Sequence, residues 1–484
     1  MLPDDSLLEI FDFYMEDDRA IYVRSKMDAW QTLLHVCRRW RGVVFGSPRR
    51  LNLQLYCTAR TLVRDTLGVW PALPLAIEDS DCQTKGVDNI VALLKRSDLV
   101  CRITEIRLSE VHLEDISEAM EVPFPELTDL MLRHSVDETE PVSDSFLGGS
   151  APRLQFLNLD RISFPGLPKL LSSATNLTDL YLSSIPHSGY ISPEAMVACL
   201  SLLTSLDRLS LGFQSPQSRP DRESRRPPPS TRTPLPVLTH FWFRGISEYL
   251  EDLVSRVDAP RLNFLDITFF NDIVFDTPQF AQFISRTPTL EAFDNAGVAL
   301  WDYHATIELS SKISGDRKFI VGISCGEPDW QFSFLEQVCT SSLPPLSTLE
   351  GLYITNHRSL RNWGGDIDNS SWLELLHPFS TVKNLYLSEA IAPRTVRALQ
   401  ELVVGRVTEV LPTLQNVFIE ELQPLGPVQE AVEKFVAARQ ATSHSIAVSL
   451  WDRDSSQSQV PRILDLSSDS RRINPEESAH LGLP

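Results

Sequence analysis

Paired cysteines are missing from this chain of 484 residues. The seven present, Cys37, Cys57, Cys82, Cys101, Cys199, Cys325 and Cys339, stand singly, with no CxxC and no framework spacing. That argues against a disulfide scaffold and leads to the expectation of reduced thiols in a cytoplasmic or nuclear protein. Cations are also short. The formal net charge is −20, and an acidic chain is repelled by nucleic acid and by anionic membrane, both of which reward Lys and Arg clusters. No nucleic acid and no membrane are expected among its partners, and a partner with basic features is favoured. No apolar run approaches the length of a membrane span, and the opening MLPDDSLLEIF has neither a basic segment nor a clean apolar stretch of the kind that directs secretion. The chain is therefore expected to stay inside the cell, with the sequons at Asn176 and Asn369 unmodified.

Catalytic motifs are scarce as well. There is no P-loop, no GxGxxG, no HExxH and no zinc spacing among the ten His and seven Cys. One string, Gly322-Ile323-Ser324-Cys325-Gly326, matches the GxSxG of a hydrolase nucleophile elbow. Such an elbow needs a sharp turn from strand to helix, an oxyanion hole, and Asp and His downstream. Here EPDWQF follows, and Val321 and Ile323 fall on the register of a repeat described below. The string reads as a strand, and a hydrolase centred on Ser324 is the minor reading, open to a serine-directed probe. No catalytic residue, cofactor or metal is expected, and the chain is read as a non-enzyme.

What is abundant is repetition. Apolar-x-apolar pairs, most with a third apolar residue three positions earlier, recur along the chain as LTDLML, LQFLNL, LTDLYL, LDRLSL, LTHFWF, LNFLDI, LEGLYI, VKNLYL and LQNVFI. Their first members are Leu53, Leu75, Ile106, Leu130, Leu157, Leu180, Leu209, Phe241, Leu265, Phe293, Val321, Leu352, Leu385, Val417 and Val448, spaced 22 to 33 residues apart. That interval is close to the period of leucine-rich repeats, in which each unit supplies one short parallel strand and one helix or irregular return. SEYLEDLVSRV, PQFAQFISR, TVRALQELVVGRV and VQEAVEKFVAAR carry the 3.6-residue apolar period of the returning helices. Prolines before many strands, such as Pro125, Pro152, Pro236 and Pro260, end the preceding helix. The expected fold class is α/β: a leucine-rich-repeat solenoid over 49–451, with fifteen strands in one continuous, curved parallel sheet inside and helices outside. Residues 214–236, rich in Pro, Ser and Arg, are expected to be a disordered insertion, and 452–484 a disordered tail.

In the pattern L-x-x-L-x-L the last two apolar residues point into the core, so the residue between them faces out of the concave side. Tyr181, Trp242, Tyr353, Tyr386 and Phe418 hold that position, with Arg107, Met131, Asn158, Asp266 and Asp294 in other units. The five aromatics are the candidate substrate-binding residues, because exposed rings are frequent interface anchors; the bland alternative is that cross-strand packing, loops or the tail cover them. His240 and Asp266 are read as contact residues on the same face.

Residues 1–48 do not fit the repeat. Asp4 or Asp5 can cap a first helix carrying Leu7, Leu8, Ile10, Phe11 and Tyr14, and Trp30, Leu33, Leu34, Val36, Trp40, Val43 and Val44 serve one or two later helices. So short a helical unit has more apolar surface than it can bury alone. LPDDSLLEIF, followed by LLHVCRRWRGVVFGSP, resembles the F-box, with its Leu-Pro opening and closing VCRRWR. The continuation RRLNLQLYCTARTLVRDTLGVWPALPLAIED is similar to the junction in the large family of fungal F-box proteins with degenerate leucine-rich repeats. The intervening YMEDDRAIYVRSKMDAW departs from the family in being longer and more charged than the usual link. The resemblance implies binding to a Skp-type adaptor, and through it to a cullin-RING ubiquitin ligase, with a protein substrate held by the repeats. By position, Leu2, Pro3, Leu7, Ile10, Phe11, Leu33, Leu34, Val36 and Trp40 would form or support the adaptor contact. The alternative is a repeat scaffold that no longer engages the adaptor.

Overall fold

The computed structural model describes residues 2–16, 32–48, 50–51, 53–58, 73–79, 87–111, 113–134, 141–216, 231–270, 277–312, 317–341, 343–344, 346–356, 368–401, 409–420, 427–441 and 444–451. Trp30, the 452–484 tail and most of the expected insertion lie outside these. The chain divides into two compact units, Met1–Arg261 and Leu262–Pro484.

In the first unit, helices Asp4–Glu16 and Arg38–Gly46 precede the strands β1 (Leu55–Cys57), β2 (Leu75–Asp79), β3 (Ile103–Val111), β4 (Asp129–His134), β5 (Phe156–Asp160), β6 (Asp179–Ile185), β7 (Arg208–Phe213), β8 (Thr233–Pro234), β9 (His240–Gly245) and β10 (Val257–Asp258). Strands β1 to β7 and β9 lie side by side in chain order, all parallel. Ile106, Leu130, Leu157, Leu180, Leu209 and Phe241 pair directly, strand to strand, so the marked apolar positions form one buried row. The apolar residue three positions earlier, Leu127, Leu154, Leu177, Leu206 or Leu238, is buried beneath the turn that enters each strand. Thr128 and Thr178 stitch those turns to the previous unit, each hydroxyl donating to a backbone carbonyl one unit back, Thr104 O at 3.1 Å and Gln155 O at 3.0 Å. Buried backbone groups must find partners, and stacking units supply them. Returns are helical at Leu167–Ser173, Pro193–Leu200 and Ser247–Val254, the last within the expected SEYLEDLVSRV. Ser192 caps the second of these by accepting from Ala195 N at 3.3 Å, with Pro193 at the first helical position. Within the segment expected to be disordered, Thr233–Pro234 pairs with Val257–Asp258, and Leu235 is buried.

The second unit contains β11 (Phe264–Phe270), β12 (Asn295–Trp301), β13 (His304–Ser310), β14 (Lys318–Ser324), β15 (Gly351–Asn356), β16 (Asn384–Leu387), β17 (Asn416–Ile419) and β18 (Ala447–Leu450). Their order is β11-β14-β13-β12-β15-β16-β17-β18, which corrects the expectation of a wholly parallel sheet. Strand β13 is antiparallel to both β12 and β14. The cause is local: only Asp302 and Tyr303 separate β12 from β13, and a two-residue connection can join antiparallel strands only. Phe293 therefore lies two residues before its strand, and Ala296 takes the inward place beside Leu352. From there the expected register holds, with Leu352, Leu385, Val417 and Val448 paired in turn. Helices Pro278–Ser285, Pro328–Ser341, Asn369–Leu376, Ala392–Glu401 and Pro427–Ala441 return the chain. The α/β class and the strand-then-return repeat therefore stand, interrupted by one antiparallel strand, β13.

Candidate protein-interaction surfaces

Helix Asp4–Glu16 carries two apolar stripes rather than one. Leu7, Leu8 and Phe11 face inward, and Phe11, fully buried, meets the half-buried Trp40 edge-on at 4.8 Å. Ile10, Phe13 and Tyr14, spaced i, i+3, i+4, lie on another side and stay 47%, 79% and 48% exposed. Leu2 and Val36 are exposed too, and Leu33 and Leu34 are buried. Arg39 fixes the entry of the chain, with Nε and Nη2 donating to Asp4 Oδ1 at 3.1 and 2.6 Å and Nη2 donating to the Leu2 carbonyl as well. Arg41 donates from Nε and Nη2 to Leu34 O at 3.2 and 3.1 Å, tying the helical turn at 32–36 to helix Arg38–Gly46. The nine residues singled out from sequence thus separate. Leu2, Pro3, Ile10 and Val36 are presented to solvent, Leu7, Phe11, Leu33 and Leu34 form the interior beneath them, and Trp40 braces Phe11. Phe13, the most exposed apolar side chain of the helix, was not among the nine. The 10-13-14 spacing was its signal.

On the sheet of the first unit, the side opposite the buried row holds half-buried aromatics among ion pairs. Phe156 and Tyr181 approach at 5.6 Å, Tyr181 and Trp242 at 6.0 Å, and His240 stacks on Trp242 at 5.4 Å. Arg107 lies over Phe156 at 6.0 Å and pairs with Asp129 at 3.2 Å, while Arg208 pairs with Asp179 at 3.3 Å and Arg133 with Asp160 at 3.0 Å. Burial, followed by the Asp179 charge, raises the Tyr181 phenol above its usual range, against the pull of Arg208. Tyr181 and Trp242 thus stand half-buried on a face they share with these ion pairs.

In the second unit the expectation of an open aromatic stripe fails. Tyr353 and Tyr386 stack at 4.2 Å with 6° between planes, and Tyr386 and Phe418 at 4.5 Å with 10°. Trp451 then closes over the stack, edge-on to Tyr386 at 5.5 Å and to Tyr353 at 6.1 Å, with Nε1 donating to Leu387 O at 3.2 Å. Tyr386 is left 8% exposed and Phe418 5%. Their direct pairing across β15, β16 and β17 allows flat stacking, and the bland alternative of cross-strand packing holds for Tyr386 and Phe418. Only Tyr353 keeps a partly open ring. Asp294 Oδ2 accepts from Lys312 N at 2.9 Å and Ser311 Oγ at 3.3 Å and so holds the hairpin end. Asp266 does face the same side as Tyr353. Burial pushes its carboxyl up to about 6, Lys318 opposing and Glu308 adding to the rise.

The GxSxG string lies in β14. Ser324 pairs with Phe270 in extended backbone, and among the described residues the positive-φ positions other than glycine are Leu147, Arg161, Ser184 and Leu411. A strained elbow at Ser324 is therefore absent. Gly322 has a packing reason, since a Cβ there would come within 2.6 Å of Thr306 Cγ2 and 2.9 Å of Ala305 O. Cys37, Cys57, Cys101, Cys199, Cys325 and Cys339 are free, and burial pushes the Cys57 thiol up to about 11. Among the described residues no His, Cys, Asp and Glu cluster could hold a metal, and no helix is long and apolar enough to cross a membrane.

No family model matches the sequence, and no curated protein matches it. Among solved structures, the leucine-rich repeat-containing protein LegL7 from Legionella pneumophila aligns with 69% of this chain and 90% of its own, at 13% identity and a TM-score of 0.27. A chain of the Rad7 and Elc1 complex in yeast aligns with 87% of this chain and 91% of its own, at 13% identity and a TM-score of 0.28. Likeness at this level shows no function.

Proposed function

We propose that this protein is the substrate-recognition subunit of a Skp-cullin-F-box type ubiquitin ligase, an interaction protein that binds a Skp-type adaptor through its N-terminal helices and a protein substrate through the open side of its repeat sheet. The observation that carries the reading is the second apolar stripe of helix Asp4–Glu16. A helix with one stripe already buried has no use for Ile10, Phe13 and Tyr14 in water unless another chain covers them. The resemblance of LPDDSLLEIF and LLHVCRRWRGVVFGSP to the F-box names the kind of chain. Acidic net charge and a sheet face of rings and paired ions suit protein recognition rather than nucleic acid.

The test is co-purification of the full chain with a Skp-type adaptor. Ile10→Asp and Phe13→Asp each place a charge in the proposed contact without touching the buried stripe, and each is expected to abolish co-purification while thermal stability is retained. Adaptor capture at wild-type levels by both variants would remove the ligase reading and leave a repeat scaffold.

A further inference from the structure

One row of residues crosses the open side of the second unit's sheet: Asp266, Ile320, Glu308, Gly297, Tyr353, Tyr386 and Phe418, neighbours by strand pairing in that order. Position 297 has no side chain. Paired strands lie about 4.8 Å apart, so the gap between the strands of Glu308 and Tyr353 spans roughly 10 Å with nothing standing in it. A cavity of about 310 Å³ occupies this place, with Asn295, Gly297, Trp301, Thr306, Glu308 and Tyr353 in its lining. That is the low end of ligand-pocket volumes and ample for one long side chain.

The walls agree on a chemistry. One face of Tyr353 is covered by Tyr386, which leaves the other toward the slot. Glu308 stands opposite. It pairs with Lys318 at 2.9 Å, yet Asp266 lies close enough to both for their charges to act on it, so two carboxylates share one ammonium. The side-chain oxygen of Asn295 is buried without a hydrogen-bond partner and hangs over Gly351, where a Cβ would come within 2.6 Å of it. A ring face, a surplus negative charge and an unused acceptor around a narrow slot all ask for a flat cation with several donors.

We propose that this slot receives the guanidinium of an arginine in an extended segment of a partner protein, stacked on Tyr353 and donating to Glu308 and Asn295. This rests on the substrate-receptor reading and deepens it by naming the substrate class. Arginine is chosen over lysine because a planar fork can stack and reach two acceptors at once, which a round ammonium cannot.

The experiment measures binding of the full chain to a labelled peptide, acetyl-Gly-Ala-Arg-Ala-Gly-amide, beside versions with citrulline or lysine in place of arginine. The arginine peptide is expected to bind about 10-fold tighter than either. Gly297→Val should abolish that preference by filling the slot. A Cβ at 297 meets nothing nearer than Glu308 Cβ at 3.9 Å, and valine suits a strand, so the melting temperature should hold. Glu308→Gln should reduce the preference without filling the slot. Equal binding of the three peptides, or a preference that survives Gly297→Val, would overturn the proposal. Adaptor co-purification on the same preparations separates the two readings. Its loss with the arginine preference intact defeats the ligase role alone, and its retention without the preference defeats the slot alone.

Discussion

Trp451 decides whether the last three strands hold together. Its indole covers Tyr386 and Phe418, both nearly buried, and it donates to Leu387 O at 3.2 Å. Burying an indole removes roughly 150–250 Å² from water, worth about 4–6 kcal/mol at about 25 cal/mol per Å². Trp451 lies on a sheet face, so water can enter the vacated space and the two rings can settle. Trp451→Ala is therefore expected to cost about 2–4 kcal/mol rather than the full amount. The lost hydrogen bond adds little, because Leu387 O also accepts from Glu420 N at 3.0 Å and is not orphaned. Hydrogen exchange by mass spectrometry is the fitting assay, since it reads local stability where a single melting curve averages two units. Peptides covering β16, β17 and β18 should exchange about 30- to 700-fold faster, at about 1.4 kcal/mol per factor of ten, and peptides of β4 to β7 should not change. Trp451→Phe should keep most of the protection and lose about 1 kcal/mol for the smaller ring. Unchanged exchange in β16 to β18 on Trp451→Ala would refute the argument that this ring seals the stack.

Gly322→Val should destabilise the second unit by about 1–3 kcal/mol in urea unfolding, because its Cβ would meet Thr306 Cγ2 at 2.6 Å, whereas Ser324→Ala two residues on should stay within about 0.5 kcal/mol. Arg439 is wholly buried and its Nη2 donates to Val410 O at 2.9 Å and Leu411 O at 3.0 Å, so Arg439→Ala should cost about 2–4 kcal/mol, measured in the same way. Asp266, raised to about 6 from an ordinary 3.8 chiefly by burial, binds its proton more tightly folded than unfolded. Stability from this group is complete below about pH 4 and declines as pH rises to about 6, for a loss of up to ~3 kcal/mol. Asp266→Asn should flatten that decline and raise stability at pH 7, and an unaltered pH profile of unfolding would count against the burial argument.

How much of this was legible follows from how far each determinant reaches along the chain. The row from Ile106 to Phe241 was readable because L-x-x-L-x-L is a local pattern: alternation sets which side chains enter the core, and the third apolar residue sets where the turn goes. The hairpin of β12 and β13 was hidden inside a 28-residue interval of ordinary length between Phe293 and Val321, although VALWDYHATIELS alternates on both sides of Asp302 and Tyr303 with no helical stretch between. Counting intervals concealed what inspecting that interval would have shown. Tyr386 and Phe418 failed for a different reason. Their outward direction was correct, but exposure is not a property of direction, and the residue that covers them lies 65 and 33 positions further on. The same limit explains Phe13. A family pattern marks positions by type, whereas the open stripe depends on which side of helix Asp4–Glu16 already packs inward, as Phe11 does against Trp40. Gly297 makes the point from the other direction, because the slot beside Tyr353 comes from an absent side chain, and a scan for chemically active residues passes over it. Surfaces of repeat proteins are therefore best read in two steps, first the register from local alternation, then the gaps and covers that only the assembled rows reveal.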